Sequence, residues 1–185
     1  MQAIRSRALY NVATPYPTAY LSSQTENLNA TTEMGQRSFI DTMIRANRDL
    51  WDRLIGHLFC SRMGDGTARI EGFKDYAVGD FFFLRNYVRY ELGLYSKTDD
   101  WDILSTEAPQ GVADAVDFAN LQLQVCVQEL HIPKAKIIRA GPKPQVKAYI
   151  DWVNKMIPTE DWFGLHVLMA PCILASLTLF VLSNH

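Results

Sequence analysis

A stretch of twenty residues near the carboxyl end of the chain, FGLHVLMAPCILASLTLFVL (163–182), contains no Asp, Glu, Lys or Arg. A helix of that length can cross a lipid bilayer, so a single-pass tail anchor is one interpretation. The other is a central helix of a bundle, apolar on every side because other helices surround it. His166 and Pro171 interrupt the run, and no basic cluster flanks it. These features favour the bundle helix and count against a membrane partner.

The remainder of the sequence also favours helices. Apolar residues recur at steps of three and four in four further segments: 33–59, 70–95, 109–130 and 145–156. No segment alternates strongly at period two, so we predict no sheet. Residues 131–144 contain three prolines and are predicted as a connector with about one helical turn. Thr159 is predicted to cap the fifth helix, the apolar run.

Composition limits the class of protein. Hydrophobic residues make up 48% and charged residues 21% of the 185-residue chain, and the formal net charge is −2. This is the composition of an ordinary globular protein and lacks the basic footprint of a nucleic-acid binder. The three cysteines are far apart and odd in number, which favours a reducing compartment and a cytoplasmic location. The four histidines do not cluster, so neither a metal nor another cofactor is predicted.

The beginning of the chain differs in character from the rest. Residues 1–32 include two prolines and many Ser, Thr and Asn residues, and we predict an irregular arm there. Residues 33–185 are predicted to form one all-α helical domain. Residues 1–25 carry two arginines and no acidic residue, a faint transit-peptide signal. An ordinary extension is the preferred interpretation.

An aspartate lies inside an aromatic run of the second helix, YAVGDFFFLRNY (76–87). Steps of three and four place Asp80 on one apolar helix face with four aromatic residues: Phe73, Tyr76, Phe83 and Tyr87. A lone carboxylate on an inward face is costly unless something pairs with it. Because no Lys or Arg stands one turn away, the partner of Asp80 must come from another helix or from a ligand.

Two further residues are candidates for chemistry. Cys172 follows Pro171 inside the apolar helix, where a proline bend can aim the next side chain into a cavity. It would act as a nucleophile if a neighbour lowered its pKa. Its alternative role is that of an inert buried cysteine, which is the interpretation we give Cys60 and Cys126. Tyr149 either packs its ring with the hydroxyl in water or orients a ligand through that hydroxyl.

Four sequence elements, taken in order, resemble the TenA/THI-4 family. FKDYAVGDFFFLRNY (73–87) is similar to the family motif F-x-x-Y-L-x-Q-D-Y-x-Y-L. NRDLWDRLIGHLFCSRMGDGTARIEGF (47–73) resembles the first helix of the family and the turn that follows it. QELHIPKAKIIRAGPKPQVKAYIDWV (128–153) and LMAPC (168–172) resemble two later elements. The resemblance extends over about residues 38–175.

The resemblance implies the haem-oxygenase-like all-helical fold and a thiaminase II-like or aminopyrimidine aminohydrolase activity, which releases a hydroxymethyl-aminopyrimidine for thiamin salvage. Asp80 corresponds to the carboxylate that binds the pyrimidine, and Cys172 corresponds to the nucleophile. Tyr149 corresponds to a tyrosine of the pocket. Phe83 stands where the family has a second pocket tyrosine, and together with Tyr76 and Tyr87 it would provide flat walls for an aromatic ring.

This sequence differs from the family after the cysteine. After the cysteine the family continues with helices that supply another pocket tyrosine and an acid–base glutamate, whereas this sequence ends at His185. We therefore expect a bundle shortened at its C-terminus.

Three hypotheses follow. The first is a TenA-like hydrolase whose missing groups are replaced locally or by a neighbouring subunit. The second is a divergent relative that binds or transforms another small aromatic molecule, or binds without catalysis. The third is a tail-anchored protein. A shortened bundle would leave apolar surface on the fifth helix, so the first two hypotheses predict a homo-oligomer.

Overall fold

The computed structural model describes residues 39–64 and 66–183, with side chains for all of these except 63, 64, 173 and 175–183. Eight α-helices lie in this part of the chain: α1 (Phe39–Ala46), α2 (Arg48–Ile55), α3 (Leu58–Gly64), α4 (Ile70–Tyr95), α5 (Ala108–Gln124), α6 (Lys134–Ala140), α7 (Pro144–Met156) and α8 (Trp162–Ser183). Two π-helical segments, Ile103–Glu107 and Val125–Glu129, flank α5. The described residues contain no β-strand, and the predicted all-α class is confirmed.

The segment predicted as one helix over residues 33–59 is divided, from residue 39 onward, among α1, α2 and α3. At Asn47 the side-chain Nδ2 donates to the Met43 carbonyl at 3.1 Å. The backbone N–H of Asn47 donates to the Ile44 carbonyl at 3.2 Å. These local bonds compete with the regular helical pattern and end α1. The earlier part of the predicted helix, like the predicted arm, lies outside the described residues.

The chain divides into two compact units. One takes in the helices before residue 69 together with the chain from Leu174 onward, and the other comprises Arg69–Ile173. All six residues predicted for the site fall in the second unit. The site is therefore described within that unit alone.

Helix α4 is the element on which the second unit is built. It covers the predicted residues 70–95 and packs along α5 and α7. The buried amide of Gln122 in α5 donates to the Ala77 carbonyl of α4 at 3.0 Å, so a polar group inside this interface is satisfied. A Cβ on Gly79 would lie 3.2 Å from Cγ2 of Val146, so the glycine permits the close approach of α7.

The connector predicted over residues 131–144 contains more helix than expected. Pro133 precedes the seven-residue helix α6, whose C-cap residue is Gly141. Gly141 has a φ of 65°, in the left-handed region that favours glycine. Ile137 is 1% exposed and anchors α6 to the unit.

Helix α8 begins at a cap that differs from the predicted one. The carboxylate of Asp161 accepts a hydrogen bond from the Gly164 N–H at 2.7 Å. The Thr159 hydroxyl instead donates to the Met156 carbonyl at 3.0 Å. The prediction that Thr159 caps this helix is therefore wrong, because the carboxylate two residues later stands at the helix start.

The described side chains of α8 enter a core cluster. Its buried members are Tyr90, Leu94, Val153, Leu165 and Met169. Leu165 is fully buried and Met169 is 3% exposed. This part of the apolar run therefore packs as a bundle helix does. Among the residues that the structure describes, no helix combines the length and hydropathy that crossing a membrane requires.

Candidate active site

Asp80 lies in the first half of α4, beside the buried residues Gly79 and Phe81. Its side chain is only partly exposed, and no hydrogen bond or ion pair joins its carboxylate to another described residue. Burial raises the pKa of Asp80 to about 7, because apolar surroundings disfavour the charged form. The sequence leaves open whether the partner of Asp80 comes from another helix or from a ligand. The described helices provide no partner for this carboxylate.

Cys172 of α8 lies within the electrostatic reach of Asp80. It packs, partly buried, against the core cluster. Burial raises the pKa of the Cys172 thiol to about 11, and the negative charge of Asp80 adds to the rise. Because the interaction between two charges weakens with distance, this contribution is consistent with Asp80 and Cys172 lying in the same region of the unit. The packing of α4 against α8 thus brings together two groups that are far apart in sequence.

The direction of this pKa shift is informative. A nucleophilic Cys172 would need a lowered thiol pKa. In this protein the pKa of Cys172 is raised instead. Burial is the main reason, and the Asp80 carboxylate adds to the rise because a second negative charge near it is disfavoured. A cation paired with Asp80 would remove that contribution.

Cys126 shares the influence of Asp80. It is fully buried, and its pKa is raised to about 11, first by burial and then by the charge of Asp80. Cys126 has no exposed surface through which it could meet a ligand. Its environment agrees with the interpretation of an inert buried cysteine.

Aromatic residues from two helices border the same region. The ring centroid of Phe83 lies 5.7 Å from that of Tyr149 in α7. The Tyr149 ring in turn stacks on Trp152 at 5.9 Å. Burial raises the pKa of Tyr149, and the charge of Cys172 raises it further. Helices α4, α7 and α8 therefore bring Asp80, Tyr149 and Cys172 to one place, with Phe83 beside them.

The two remaining predicted residues lie on either side of this group along α4. Tyr87 is one turn beyond Phe83, at 6.3 Å between ring centroids, and stacks on Tyr90 at 5.5 Å. Like Cys172, it packs against the core cluster. Tyr76 is one turn before Asp80, its ring is 6.4 Å from Phe73, and its side chain is 39% exposed. Tyr76 therefore lies on the solvent side of the group.

One buried hydrogen bond sets the position of α8 along α4. The hydroxyl of Tyr90 donates to the backbone carbonyl of Leu165 at 2.6 Å. A buried bond of this kind resists sliding of one helix along the other, because sliding would leave both groups unsatisfied. Cys172 follows Leu165 by two turns and packs against the same core cluster as Phe83 and Tyr87 of α4.

The sequence pattern does not point to Glu91, a carboxylate of α4 that is only 6% exposed. Burial raises its pKa, while a hydrogen bond from Tyr87, the charge of His166 and a hydrogen bond from Tyr95 oppose the rise. Tyr87, Glu91 and Tyr95 are spaced at i, i+4 and i+8. Extending the aromatic face of Asp80 by one more turn would have revealed this carboxylate.

Two surface cavities of the second unit, of about 460 Å³ and 380 Å³, lie away from this group. Neither is lined by any of the six predicted residues. Each contains a lysine that is already paired, Lys143 with Asp75 at 2.9 Å and Lys147 with Asp151 at 2.6 Å. Within the described part of the chain, no group of three or more His, Cys, Asp or Glu residues is arranged to hold a metal ion.

Comparisons with known proteins agree with the sequence motifs. The model of the TENA/THI-4/PQQC family matches residues 44–180, a range that includes every predicted site residue. A Schizosaccharomyces pombe protein named as a hydroxymethylpyrimidine/phosphomethylpyrimidine kinase is 26% identical over 125 residues, which are 67% of this chain and 22% of that protein. This chain therefore spans about a fifth of the length of that relative. No solved structure matches the chain. Since the family model covers most of its length, the chain belongs to the TENA/THI-4/PQQC family.

Proposed function

We propose that this protein is a TenA-like hydrolase of aminopyrimidines or thiamin, with Asp80 as the pyrimidine-binding carboxylate and Cys172 as the nucleophile. Membership of the TENA/THI-4/PQQC family supports a role in thiamin metabolism. The name of the S. pombe relative, which refers to a hydroxymethylpyrimidine, is consistent with a pyrimidine ligand. The observation that carries the proposal is that Cys172 packs against the same core cluster as Phe83, one turn after Asp80 on its helix, and that the charge of Asp80 adds to the raised pKa of the thiol.

Asp80 is suited to hold an aminopyrimidine. Such a ring presents a nitrogen and an adjacent exocyclic amine. A carboxylate accepts hydrogen bonds from the amine and from a protonated ring nitrogen, whereas a protonated carboxyl group accepts from the amine and donates to a neutral ring nitrogen. Because the pKa of Asp80 is raised to about 7, both of its protonation states are populated near neutral pH. The protonated form of Asp80 therefore pairs with a neutral ring, and the carboxylate form pairs with a protonated ring. In either case the ring becomes more electrophilic.

The ligand itself activates the thiol. With a pKa of about 11, Cys172 is thiolate in roughly one molecule in ten thousand at pH 7. A protonated ring paired with Asp80 cancels the charge that opposes thiolate formation, so the pKa of Cys172 falls when the ligand binds. Binding and activation are thus coupled through one carboxylate.

For an aminomethylpyrimidine, the proposed reaction consumes only water; with thiamin the leaving nitrogen departs as a neutral thiazole, and the proton goes to solvent instead. The sulfur of Cys172 forms a bond to a ring carbon, the bond between the methylene and the leaving amine breaks, and the proton of the thiol goes to that amine. Water then adds to the methylene. The sulfur–carbon bond breaks, and the proton of the water restores the thiol. The products are the amine and the hydroxymethyl-aminopyrimidine.

A second candidate function is binding of a small aromatic molecule without turnover. Two observations favour it: Phe83 replaces a tyrosine of the family pocket, and the pKa of Cys172 is raised rather than lowered. The same group of residues would then serve as a binding site only. A neutral thiol and an additional phenyl ring both suit an apolar ligand.

The substrate assay separates the two candidates. The purified protein is incubated with thiamin and with the aminomethyl form of the pyrimidine, and the hydroxymethyl product is quantified by chromatography. We expect product from the wild type, at least a hundredfold less from Cys172→Ser and a raised KM in Asp80→Asn, because these changes remove the nucleophile and the ring contact.

Cys60→Ser is the matched control, because Cys60 belongs to the other compact unit. It should keep wild-type turnover. Product formation by Cys172→Ser at the wild-type rate would refute the proposed nucleophile. Binding of the pyrimidine without any product would favour the second candidate.

A further inference from the structure

We propose that the surface cavity of about 380 Å³ between α4 and α7 is a second binding site, which takes the phosphate group of a small phosphomonoester. Two arginines of α4, Arg85 and Arg89, would hold that group. Neither Asp80 nor Cys172 lines this cavity, so the proposal does not depend on the proposed function.

The cavity lies along a stretch where α4 and α7 approach each other closely at both ends. At one end a Cβ on Gly79 would lie 3.2 Å from Cγ2 of Val146, and at the other a Cβ on Gly93 would overlap Ile157. The lining residues of the two helices fall between these contacts in sequence: Phe82, Arg85, Asn86 and Arg89 of α4, and Lys147, Ile150 and Asp151 of α7. Because close-packed contacts resist deformation, the two ends fix the shape of the cavity between them.

Cationic groups outnumber carboxylates among the described residues that line the cavity. The cationic side chains are those of Arg85, Arg89 and Lys147, and the carboxylate is that of Asp151. Lys147 and Asp151 neutralise each other across 2.6 Å, so the arginines leave an excess of two positive charges. No hydrogen bond or ion pair joins either guanidinium group to another described residue.

The spacing of the two arginines favours an anion between them. Arg85 and Arg89 are one helical turn apart, where like charges destabilise a helix. Both side chains line the same cavity, so one anion can contact both guanidinium groups. Such an anion would replace the repulsion between the two charges by two attractions.

A phosphate dianion matches this pair of groups. Each guanidinium presents parallel N–H donors to two phosphate oxygens, and a phosphomonoester carries close to two negative charges at pH 7. A single carboxylate would leave half of the excess charge unpaired. Arg85 is also restrained before any ligand binds, because its Cζ lies 5.4 Å from the centroid of the Phe82 ring. Less conformational freedom is then lost on binding.

The rest of the cavity is suited to the organic part of an ester. A phosphate ion has five heavy atoms, and a water molecule occupies about 30 Å³ in the liquid, so free phosphate would leave most of the cavity unfilled. Pro142 and Ile150 provide half-buried apolar side chains in the lining. The chemistry that fits is therefore a phosphomonoester with a small apolar group.

The test measures binding by isothermal titration calorimetry at constant ionic strength, with phenyl phosphate and inorganic phosphate as the probes. We expect both to bind saturably, and phenyl phosphate to bind about threefold more tightly or better, because its ring covers apolar surface. Arg85→Gln and Arg89→Gln should each weaken binding about tenfold, since each removes a charge-assisted donor group. Asp151→Asn should strengthen binding severalfold, because it removes a competing carboxylate and releases Lys147.

Arg139→Gln is the matched control. Arg139 is an exposed arginine of α6 in the same unit and lines neither surface cavity. The substitution changes the net charge as the two test variants do, so both affinities should stay within about twofold of wild type. If Arg85→Gln does not fold because it loses its contact with Phe82, Arg89→Gln and Asp151→Asn still give opposite shifts.

The outcomes that would overturn the proposal are specific. Absence of saturable binding of both probes up to about 10 mM would eliminate the site. Equal losses of affinity in Arg89→Gln and Arg139→Gln would show that binding follows net charge and not this cavity. Equal affinities for phenyl phosphate and inorganic phosphate would overturn the assignment of an ester in favour of free phosphate.

Discussion

At the scale of single residues, Asp80 takes part in three titrations: its own and those of two cysteines. Its own pKa is raised by burial to about 7, and its charge contributes to the raised pKa values of Cys172 and Cys126. The isolation of Asp80 is foreseeable, because residues one turn away on its helix are apolar. The state of the thiol is not foreseeable, because it depends on how α4 and α8 pack, and the sequence does not specify this distance.

The pH dependence of stability tests the burial of Asp80. Below pH 3.8 both folded and unfolded states bind the proton, and between 3.8 and about 7 only the folded state keeps it. The free energy of unfolding therefore falls as pH rises through this window and stays lower above it. Asp80→Asn lacks this loss, so it should be more stable than the wild type by about 1–3 kcal/mol at pH 8 and by little at pH 4. Urea unfolding at the two pH values measures the difference. An advantage that does not change with pH would show that the carboxylate is not buried as described.

The reactivity of Cys172 tests its proximity to Asp80. Removing the negative charge in Asp80→Asn lowers the thiol pKa, so alkylation at pH 8.5 should be about three- to tenfold faster than in the wild type. Asp75→Asn on the exposed surface of the same helix is a matched control, because Asp75 is engaged by Lys143 at 2.9 Å. Equal Cys172 rates in all three proteins would contradict the coupling.

At the scale of helices, the most regular element is the best predicted one. Helix α4 has the predicted bounds 70–95, because its three-and-four spacing is uninterrupted for seven turns. The predicted first helix is interrupted at Asn47, whose side chain donates to the Met43 carbonyl at 3.1 Å. The spacing of apolar residues carries no information about such a bond. Glu91 lies one turn beyond Tyr87 on the face that carries Asp80, so the same spacing could have pointed to it. Its burial to 6% exposure depends on packing, which the spacing does not specify.

Two glycines of α4 provide an internal comparison of packing. A Cβ on Gly93 would overlap the branch methyl of Ile157, whereas a Cβ on Gly72 would meet nothing within 4 Å. Gly72→Ala should stabilise the protein by about 0.5–1 kcal/mol through helix propensity alone. Gly93→Ala should destabilise it by about 1–2 kcal/mol, because overlap in a packed interface outweighs propensity. Chemical denaturation of both variants measures these changes. Stabilisation of similar size in both would mean that α4 and Ile157 are not in contact.

At the scale of the whole molecule, the sequence motifs predicted the family and the helical class, and both are confirmed. Four motifs in the same order are enough to identify the family, because a fold tolerates substitutions at most other positions. The activity is less accessible, because the motifs identify the family and not the reaction of this chain, and it stays a proposal. The assembly also stays a prediction.

The predicted homo-oligomer is open to direct measurement. In the second unit, large apolar side chains such as Leu92, Trp152 and Phe163 are 57%, 47% and 62% exposed. Exposed apolar groups of this size favour self-association. Sedimentation velocity of the full chain should therefore give a species heavier than the 21.0 kDa monomer. A monomer at micromolar concentration would contradict the prediction.

The near-neutral pKa of Asp80 has a consequence for calorimetry. At pH 7 the protein is a mixture of carboxyl and carboxylate forms. A pyrimidine that selects one form must exchange protons with the buffer as it binds. The apparent binding enthalpy should then differ between phosphate and Tris buffers in proportion to the difference in their heats of ionisation. The slope of the apparent enthalpy against the heat of ionisation gives the number of protons exchanged with the buffer on binding.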